Sequence, residues 1–266
     1  SKPIEYLLKF VFGLRNKYDA TINVYPSNRK EYHFINFLLG AKMRVGVEYL
    51  RMNTSNLGWL NNITVLENDK THNAQTNIKL VEKLLNKKFD EEPAMQIALP
   101  IEDKEFANRF LKEKNISDKD FVVGFHPGCA TLKNHIKRRW EPEKFVELGK
   151  KLINEKNAKV LLFGGPEEDE LKLSISQMIK PEHSFLIKTE KFLQSIAIMK
   201  RCNVFVTNDS ALMHVASALG LKVIALIGPT NPHYIHPWKT EHKIVSLNLD
   251  CAPCFFYSPK PLTCSR

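Results

Sequence analysis

The second half of the chain alternates short, nearly continuous apolar runs with segments of helical spacing. Val160-Leu-Leu-Phe163 and Val223-Ile-Ala-Leu-Ile227 are the clearest apolar runs. Runs without polar alternation are typical of parallel strands that are covered on both faces. The pattern therefore predicts an α/β fold built on a parallel sheet. The predicted strands are 121–125, 159–163, 203–207 and 222–227, and the predicted helices are 142–156, 168–179, 192–200 and 211–219.

The first half shows a similar but less regular alternation. We predict helices over 4–14, 30–39 and 72–85, and strands over 20–25 and 43–47. Residues 48–72 are polar and irregular around a brief apolar piece, Ile63–Leu66, and residues 86–120 form a connection around one helix, 103–114. A length of 266 residues favours two domains at about 150 residues each. We predict an N-terminal α/β domain over 1–115 and a C-terminal one over 116–266.

Composition excludes several classes of protein. A chain that is 43% hydrophobic and 26% charged is neither disordered nor collagen-like. Its apolar runs are far shorter than the ~18 to 20 residues of a membrane-spanning helix. The first ten residues mix acids and bases and do not resemble a secretory signal. Five cysteines are too few for a disulfide framework, and their number is odd, so a cytoplasmic location is expected.

The net charge of +10 favours an anionic partner such as a nucleotide, a nucleic acid or an anionic membrane surface. The alternative is that lysines are simply frequent, because they are spread along most of the chain. The densest basic run is Lys133–Arg139. Trp140 is expected to anchor this run by burial and to leave Arg138 exposed. No nucleic-acid fold motif accompanies the basic charge, and we expect no nucleic-acid partner.

Four of the predicted strands end in loops that suit a ligand. In open parallel sheets, ligands bind beyond the carboxyl ends of the strands. The loop before the helix at 211 offers Ser210 and Ala211, whose N–H groups at the helix start favour a phosphate. Lys137 and Arg138 are candidates for a cationic clamp. The four loops begin at His126, Gly164, Asn208 and Gly228.

Each of these loops also has a purely structural interpretation. Gly-Pro turns after strands are common, Asp209 or Ser210 is a suitable helix cap, and His214 could be a core histidine. Four such loops at one sheet edge, together with a basic run, favour the ligand site. The sequence lacks a G-x-G-x-x-G motif, a P-loop, a G-x-S-x-G elbow and an H-E-x-x-H motif.

Several segments in order resemble glycosyltransferase family 9, the ADP-heptose:lipopolysaccharide heptosyltransferases. The most specific segment is Asn208–Gly220 followed by Ile227-Gly-Pro-Thr-Asn-Pro232. The resemblance covers nearly the whole chain. Its other segments are Phe125–Gly128, Lys137–Trp140, Glu143–Phe145, Gly164–Glu168 and Cys251–Cys254, with weaker matches at Leu14–Asp19 and Gly40–Gly46.

This resemblance implies a GT-B architecture, with two Rossmann-like domains on either side of a cleft and the nucleotide sugar on the second. By position, Asp209, Ser210, Ala211 and His214 would hold the donor's diphosphate and sugar. Arg138 takes the place of the family's phosphate-contacting lysine, and Glu168 matches its acidic donor-binding residue. Ala211 stands where the family usually has glycine. Further donor contacts are expected at Gly128, Cys129, Lys137 and Thr230.

The resemblance also implies an inverting glycosyltransferase that transfers heptose from ADP-heptose to a lipopolysaccharide core acceptor. We expect no cofactor and no divalent metal, and a possible peripheral location on the inner face of the cytoplasmic membrane. The family's general base lies in a loop near the start of its first domain. No matching segment precedes Ser1, so the first domain is expected to be incomplete and this chain to transfer little sugar. Another nucleotide sugar with another acceptor, or an inactive nucleotide-binding fragment, are the alternatives.

Three cysteines near the end have the spacing C-x2-C-x9-C. Cys251, Cys254 and Cys264 are one ligand short of a closed tetrahedral zinc site, so metal binding is not the favoured interpretation. Cys129 and Cys202 are expected to be small packing residues.

Overall fold

The computed structural model describes residues 2–255, and the chain divides into two compact units between Pro93 and Ala94. Each unit contains a parallel sheet, as the sequence predicts. The predicted domain boundary, at residue 115, lies later than the division between the two units.

In the first unit, the described strands form one sheet in the order β1-β2-β3. All of its neighbouring strands are parallel, with Ile22 opposite Val45 and Val45 opposite Ile63. The apolar piece at residues 63–66, which the sequence pattern places in an irregular region, is therefore a strand. The elements are α1 (Lys2–Leu14), β1 (Ala20–Ile22), α2 (Lys30–Leu38), β2 (Met43–Glu48), β3 (Ile63–Leu66) and α3 (Asn73–Leu85).

In the second unit, the described strands form a sheet of six in the order β6-β5-β4-β7-β8-β9, all parallel. The four predicted strands are its four central ones. The elements are α4 (Ile101–Glu113), β4 (Val122–His126), α5 (Pro142–Lys156), β5 (Lys159–Leu162), α6 (Asp169–Met178), β6 (Ser184–Leu186), α7 (Phe192–Met199), β7 (Val204–Asn208), α8 (Ala211–Ala218), β8 (Lys222–Leu226), α9 (Pro232–Ile235) and β9 (His242–Val245).

Both faces of this sheet are covered, because successive strand residues enter two different apolar clusters. On β4, Val122 lies in one cluster, whereas Val123 and Phe125 lie in the other. On β5, Leu161 and Leu162 alternate in the same way. Side chains alternate between the faces of a strand, so a strand that is apolar at every position needs a layer of helices on each side.

Residues 94–115 belong with the second unit, whereas the sequence predicts them in the first. Helix α4 packs against α7, and Ala107 is buried in the same cluster as Val122. Phe106 and Phe110 pack against that cluster. The apolar face of α4 thus fixes its place on the second unit, and the linker interpretation of this segment was wrong for the helix.

Candidate functional site

The carboxyl ends of the parallel strands bring the predicted loops to one edge of the second unit's sheet. β4 and β7 are neighbours in the sheet, β5 lies beside β4, and β8 lies beside β7. Ser210 has an extended backbone, and α8 begins at the next residue. The four loops therefore share one edge of the sheet, and the start of α8 lies at that edge, as the sequence predicts.

Arg138 and Asp209 form a mostly buried ion pair at this edge. Arg138 Nη1 donates to Asp209 Oδ2 over 2.8 Å, and the two side chains are 10% and 9% exposed. The Thr230 hydroxyl donates to the same carboxylate oxygen over 2.7 Å. The Arg138 guanidinium also lies over the ring of Phe255, 4.4 Å from its centroid. The expectation that Arg138 is exposed was wrong, because the side chain is enclosed by its ion pair and an aromatic face.

Asn208 holds three segments of the edge together. Its side-chain amide donates to the carbonyl oxygens of Pro127 and Gly128 over 2.8 and 3.3 Å, and its Oδ1 accepts from Trp140 N–H over 2.9 Å. The loop after β4 and the basic run are thereby fixed to the end of β7. Asn208 is not among the predicted site residues, although it opens the most specific matching segment.

His126 lies between Glu168 and Ser210. Its Nε2 is 3.1 Å from Glu168 Oε2, and its Nδ1 is 2.9 Å from Ser210 Oγ. The Thr207 hydroxyl lies 3.2 Å from Ser210 Oγ and 3.4 Å from the same Nδ1. His126 and Glu168 are 5% and 4% exposed, so the pair is shielded from water.

Two glycines make room for the Glu168 carboxylate. A Cβ at Gly128 would lie 1.6 Å from Glu168 Oε1, so only glycine leaves this space. Gly164 has a φ of +153°, which favours glycine, and the next residue, Gly165, donates its N–H to Glu168 Oε2 over 3.1 Å. The loops after β4 and β5 therefore close around one carboxylate.

The charge state of Glu168 follows from these contacts. Burial raises the pKa of the Glu168 carboxyl, but the hydrogen bond and charge of His126, the Gly165 N–H and the charge of Arg139 outweigh it. The net effect lowers the pKa below its ordinary value. Arg139 Nη2 lies 3.4 Å from Glu168 Oε1 and donates to the Cys129 carbonyl over 3.0 Å. The carboxylate is thus ionised and satisfied by groups of the protein.

Lys172 supports the loop after β5 from α6. Its side chain is 1% exposed, and Nζ donates to the carbonyls of Gly164 and Ile187 over 3.0 and 3.3 Å. Nζ also forms an ion pair with Asp169 Oδ1 over 2.9 Å. A buried charge is retained only with such partners, and here they fix the backbone of the glycine turn.

The remaining predicted residues lie beside this network. Lys137 and Ala211 are exposed. His214 is partly buried in α8, and burial lowers the pKa of its imidazole, with the Asp209 charge opposing and His236 adding to the effect. Cys129 is buried, and its thiol donates to the His135 carbonyl over 3.0 Å. Burial also raises the pKa of this thiol, which suits a packing residue.

The cysteine cluster is only partly within the described residues. Cys251 and Cys254 are exposed, and Cys264 lies outside residues 2–255. Within residues 2–255, no group of three or more histidine, cysteine or acidic side chains is placed to hold a metal ion. Cys202 is buried, as expected of a packing residue, and burial raises the pKa of its thiol.

The first unit has a polar cluster that the sequence analysis missed. The Tyr25 hydroxyl donates to Glu67 Oε1 over 2.7 Å, and Glu67 Oε2 accepts from Leu50 N–H over 3.0 Å. His33 is fully buried, and its Nδ1 lies 3.0 Å from Asn61 Nδ2. Tyr25, Leu50 and Glu67 follow the ends of β1, β2 and β3, so this cluster marks the carboxyl edge of the first sheet.

The chain is similar to known proteins along most of its length. A model of glycosyltransferase family 9 (heptosyltransferase) matches residues 7–262. A lipooligosaccharide heptosyltransferase 2 from Haemophilus influenzae is 28% identical over 243 residues, which are 88% of this chain and 67% of that protein. A lipopolysaccharide heptosyltransferase 2 from Salmonella typhimurium is 32% identical over 146 residues, or 51% of this chain and 41% of that protein.

The fold is also shared with a solved structure. The ADP-heptose lipopolysaccharide heptosyltransferase II of Escherichia coli matches with a TM-score of 0.70 and 22% sequence identity, over 95% of this chain and 78% of that chain. The fold is therefore that of the GT-B heptosyltransferases. Across residues 2–255, no helix combines the length and the apolar character needed to span a bilayer.

Proposed function

The chain belongs to glycosyltransferase family 9, and we propose that it transfers a heptose from ADP-heptose to a lipopolysaccharide core acceptor by an inverting mechanism. The relatives named above are heptosyltransferases of lipopolysaccharide or lipooligosaccharide. The E. coli protein is named as an ADP-heptose heptosyltransferase. One observation of the chain itself carries the proposal. Arg138, held by Asp209, lies at the same sheet edge as the N-terminus of α8.

This arrangement suits a diphosphate. An arginine has five N–H donors, and among residues 2–255 Arg138 makes one hydrogen bond, from Nη1 to Asp209. Arg138 Nε is buried and makes no hydrogen bond within residues 2–255. The remaining donors of Arg138 and the first N–H groups of α8 are then available to bind phosphate oxygens, and Lys137, an exposed neighbour on the same basic run, adds positive charge. Asp209 would orient the Arg138 guanidinium and leave its other N–H groups to bind the donor.

The same groups would stabilise the leaving group during transfer. As the acceptor hydroxyl attacks the anomeric carbon, the bond to the diphosphate breaks and negative charge grows on the departing oxygen. Fixed cations and oriented N–H groups stabilise this charge without reorganisation. We propose that a carboxylate removes the proton from the acceptor hydroxyl. We assign no residue within 2–255 to that step.

We further propose that transfer needs no divalent metal, because protein donors supply the charge stabilisation. Added EDTA would then leave the rate unchanged. The proposed lipopolysaccharide acceptor is anionic, and the net charge of +10 favours the inner face of the cytoplasmic membrane as the place of action.

Donor binding tests the proposal directly. Titration calorimetry with ADP, UDP and NAD should show the tightest binding for ADP, and ADP-heptose should compete with ADP. Heptose transfer to a heptose-deficient lipopolysaccharide core, followed by mass spectrometry, tests the acceptor. A preference for UDP would favour another nucleotide sugar, whereas ADP-heptose binding without product would favour a nucleotide-binding role. A folded chain that binds none of the three nucleotides would contradict the donor site.

A further inference from the structure

The contacts of His126 leave one proton position undecided. Nε2 lies 3.1 Å from a Glu168 carboxylate oxygen, and an ionised carboxylate only accepts hydrogen bonds. Nε2 therefore carries a hydrogen in either charge state of the ring. Nδ1, 2.9 Å from Ser210 Oγ, is the atom that gains or loses the proton.

The state of Nδ1 determines what the Ser210 hydroxyl can do. When the ring is neutral, Nδ1 accepts, and the Ser210 hydroxyl donates its one hydrogen to it. When the ring is protonated, Nδ1–H donates to Ser210 Oγ, and the Ser210 hydrogen is released. Thr207 donates its own hydrogen to the Asn208 carbonyl over 2.9 Å, so towards Ser210 it can only accept.

An anion beside Ser210 would favour the protonated state. Ser210 precedes α8, where N–H groups already attract negative charge, and a phosphate oxygen there would need a hydroxyl that donates. We propose that His126 is a positioning residue which takes up a proton when the donor diphosphate binds and so turns the Ser210 hydroxyl into a phosphate donor. This inference rests on the proposed donor site.

The charged groups around His126 are consistent with proton uptake. The first partner is Glu168, which lies just before α6 and holds a negative charge against Nε2. Arg139 lies on the far side of that carboxylate, and Arg138 and Asp209 neutralise each other near the end of β7. The nearest negative neighbour of a protonated ring is thus in place before any ligand arrives, and the diphosphate would add a second.

Calorimetry of ADP binding tests the proposal. At pH 8 the terminal phosphate of ADP, with an ordinary second pKa near 6, is almost fully ionised and adds no proton change of its own. Titrations in HEPES and in Tris, which differ in heat of ionisation, give the number of protons taken up. We expect net uptake by the wild-type chain, and an ADP affinity that falls between pH 7.5 and 9 by up to about tenfold per unit.

Two variants identify the group. His126→Gln keeps hydrogen-bonding atoms but cannot be protonated, so uptake and the pH dependence should be lost, with a fall in affinity of about 2- to 10-fold. Ser210→Ala leaves His126 and Glu168 in place and should also abolish uptake, which keeps the test decisive if His126→Gln does not fold. His183 lies directly before β6, at the amino edge of the sheet and away from the candidate site. His183→Gln is therefore the matched control and should show the proton uptake and ADP affinity of the wild type.

The outcomes separate this proposal from the donor assignment. ADP binding without proton uptake, or uptake that persists in both variants, would overturn the role of His126 alone. Uptake that is lost in His214→Gln but kept in His126→Gln would assign the proton to the other imidazole and overturn the proposal. Absence of ADP binding by the folded wild-type chain would overturn the donor site and this inference with it.

Discussion

The Arg138–Asp209 pair gives the sharpest test of the site, because it links stability to donor binding. Arg138→Ala leaves a carboxylate that is 9% exposed without its cation. Loss of one partner of a buried ion pair costs about 3 to 5 kcal/mol. The Thr230 hydroxyl still donates to Asp209, so the lower end of that range, about 3 kcal/mol, is expected. At roughly 2 to 4 °C per kcal/mol, the melting temperature should fall by about 6 to 12 °C.

Urea unfolding of a double-mutant cycle measures this effect. The cycle compares the wild type with Arg138→Ala, Asp209→Ala and the double variant. The second substitution should cost much less in the presence of the first, because the unpaired charge is then gone. Lys137→Ala, an exposed neighbour on the same basic run, is the control and should change stability by no more than about 0.5 kcal/mol. Additive losses in the cycle, or an unchanged stability of Arg138→Ala, would refute the reasoning.

The same variant reports on the donor site. A charge-assisted hydrogen bond to the diphosphate contributes about 1.5 to 3 kcal/mol, so Arg138→Ala should weaken ADP binding about 10- to 150-fold. ADP binding should be measured well below the lowered melting temperature of Arg138→Ala. Lys137→Ala should weaken ADP binding less than Arg138→Ala. Because the Lys137 side chain is exposed, the affinity lost in Lys137→Ala should depend more strongly on salt. Equal losses that disappear in high salt would exclude Arg138 from direct contact with phosphate.

Three further changes have expected outcomes. Gly128→Ala places a Cβ 1.6 Å from Glu168 Oε1 and should destabilise the chain by about 1 to 3 kcal/mol in urea unfolding. Glu168→Gln should be less stable than the wild type at pH 7. Because the folded-state pKa of Glu168 is lowered, this difference should be fully present above the ordinary value of about 4.3 and shrink as pH falls below it, as thermal unfolding across pH would show. Lys172→Met removes the donor of two buried carbonyls and should cost about 1 to 3 kcal/mol by thermal unfolding.

Each of these has a matched comparison. Gly228→Ala meets nothing within 4 Å and should unfold like the wild type, so an equal loss at both glycines would contradict the crowding argument. For the pH dependence, a difference in stability between the wild type and Glu168→Gln that stays constant down to pH 3 would contradict the lowered pKa of Glu168. Lys188→Met removes the exposed lysine on the same aspartate, Asp169, and should cost far less than Lys172→Met. Similar losses would mean that burial of Lys172 adds nothing.

The central strands of the second unit could be predicted from sequence, whereas the edge strands could not. A strand covered on both faces is apolar at nearly every position, and β4, β5, β7 and β8 show this pattern. β6 and β9 pair on one side only and include exposed or polar residues, so neither stands out from a loop. The boundary between the units was misplaced for a related reason. Periodicity predicted α4, but nothing in its own sequence says which unit its apolar face contacts.

The site was predictable at the level of loops and not at the level of contacts. Parallel topology alone places the ends of β4, β5, β7 and β8 at one edge. The pairing of Arg138 with Asp209 joins residues 71 positions apart, and that of His126 with Glu168 spans 42. Such pairs depend on the angles at which the loops leave the sheet, which a single sequence does not encode in a local pattern. Arg138 was expected to be exposed because the local sequence does not show that Asp209, 71 positions away, pairs with it.

Ion pairs within the protein cancel much of the positive charge at this sheet edge. Arg138 is neutralised by Asp209, and Arg139 is shared with Glu168, so two of the three adjacent cations face protein carboxylates before any ligand binds. The electrostatic surplus at the site is therefore small compared with the chain's net charge of +10. Directed donors, held in place by buried partners, remain as the source of the diphosphate affinity that we propose. Because such donors act at contact distance in a water-poor site, raised salt should weaken ADP binding far less than it would weaken binding by a diffuse basic surface.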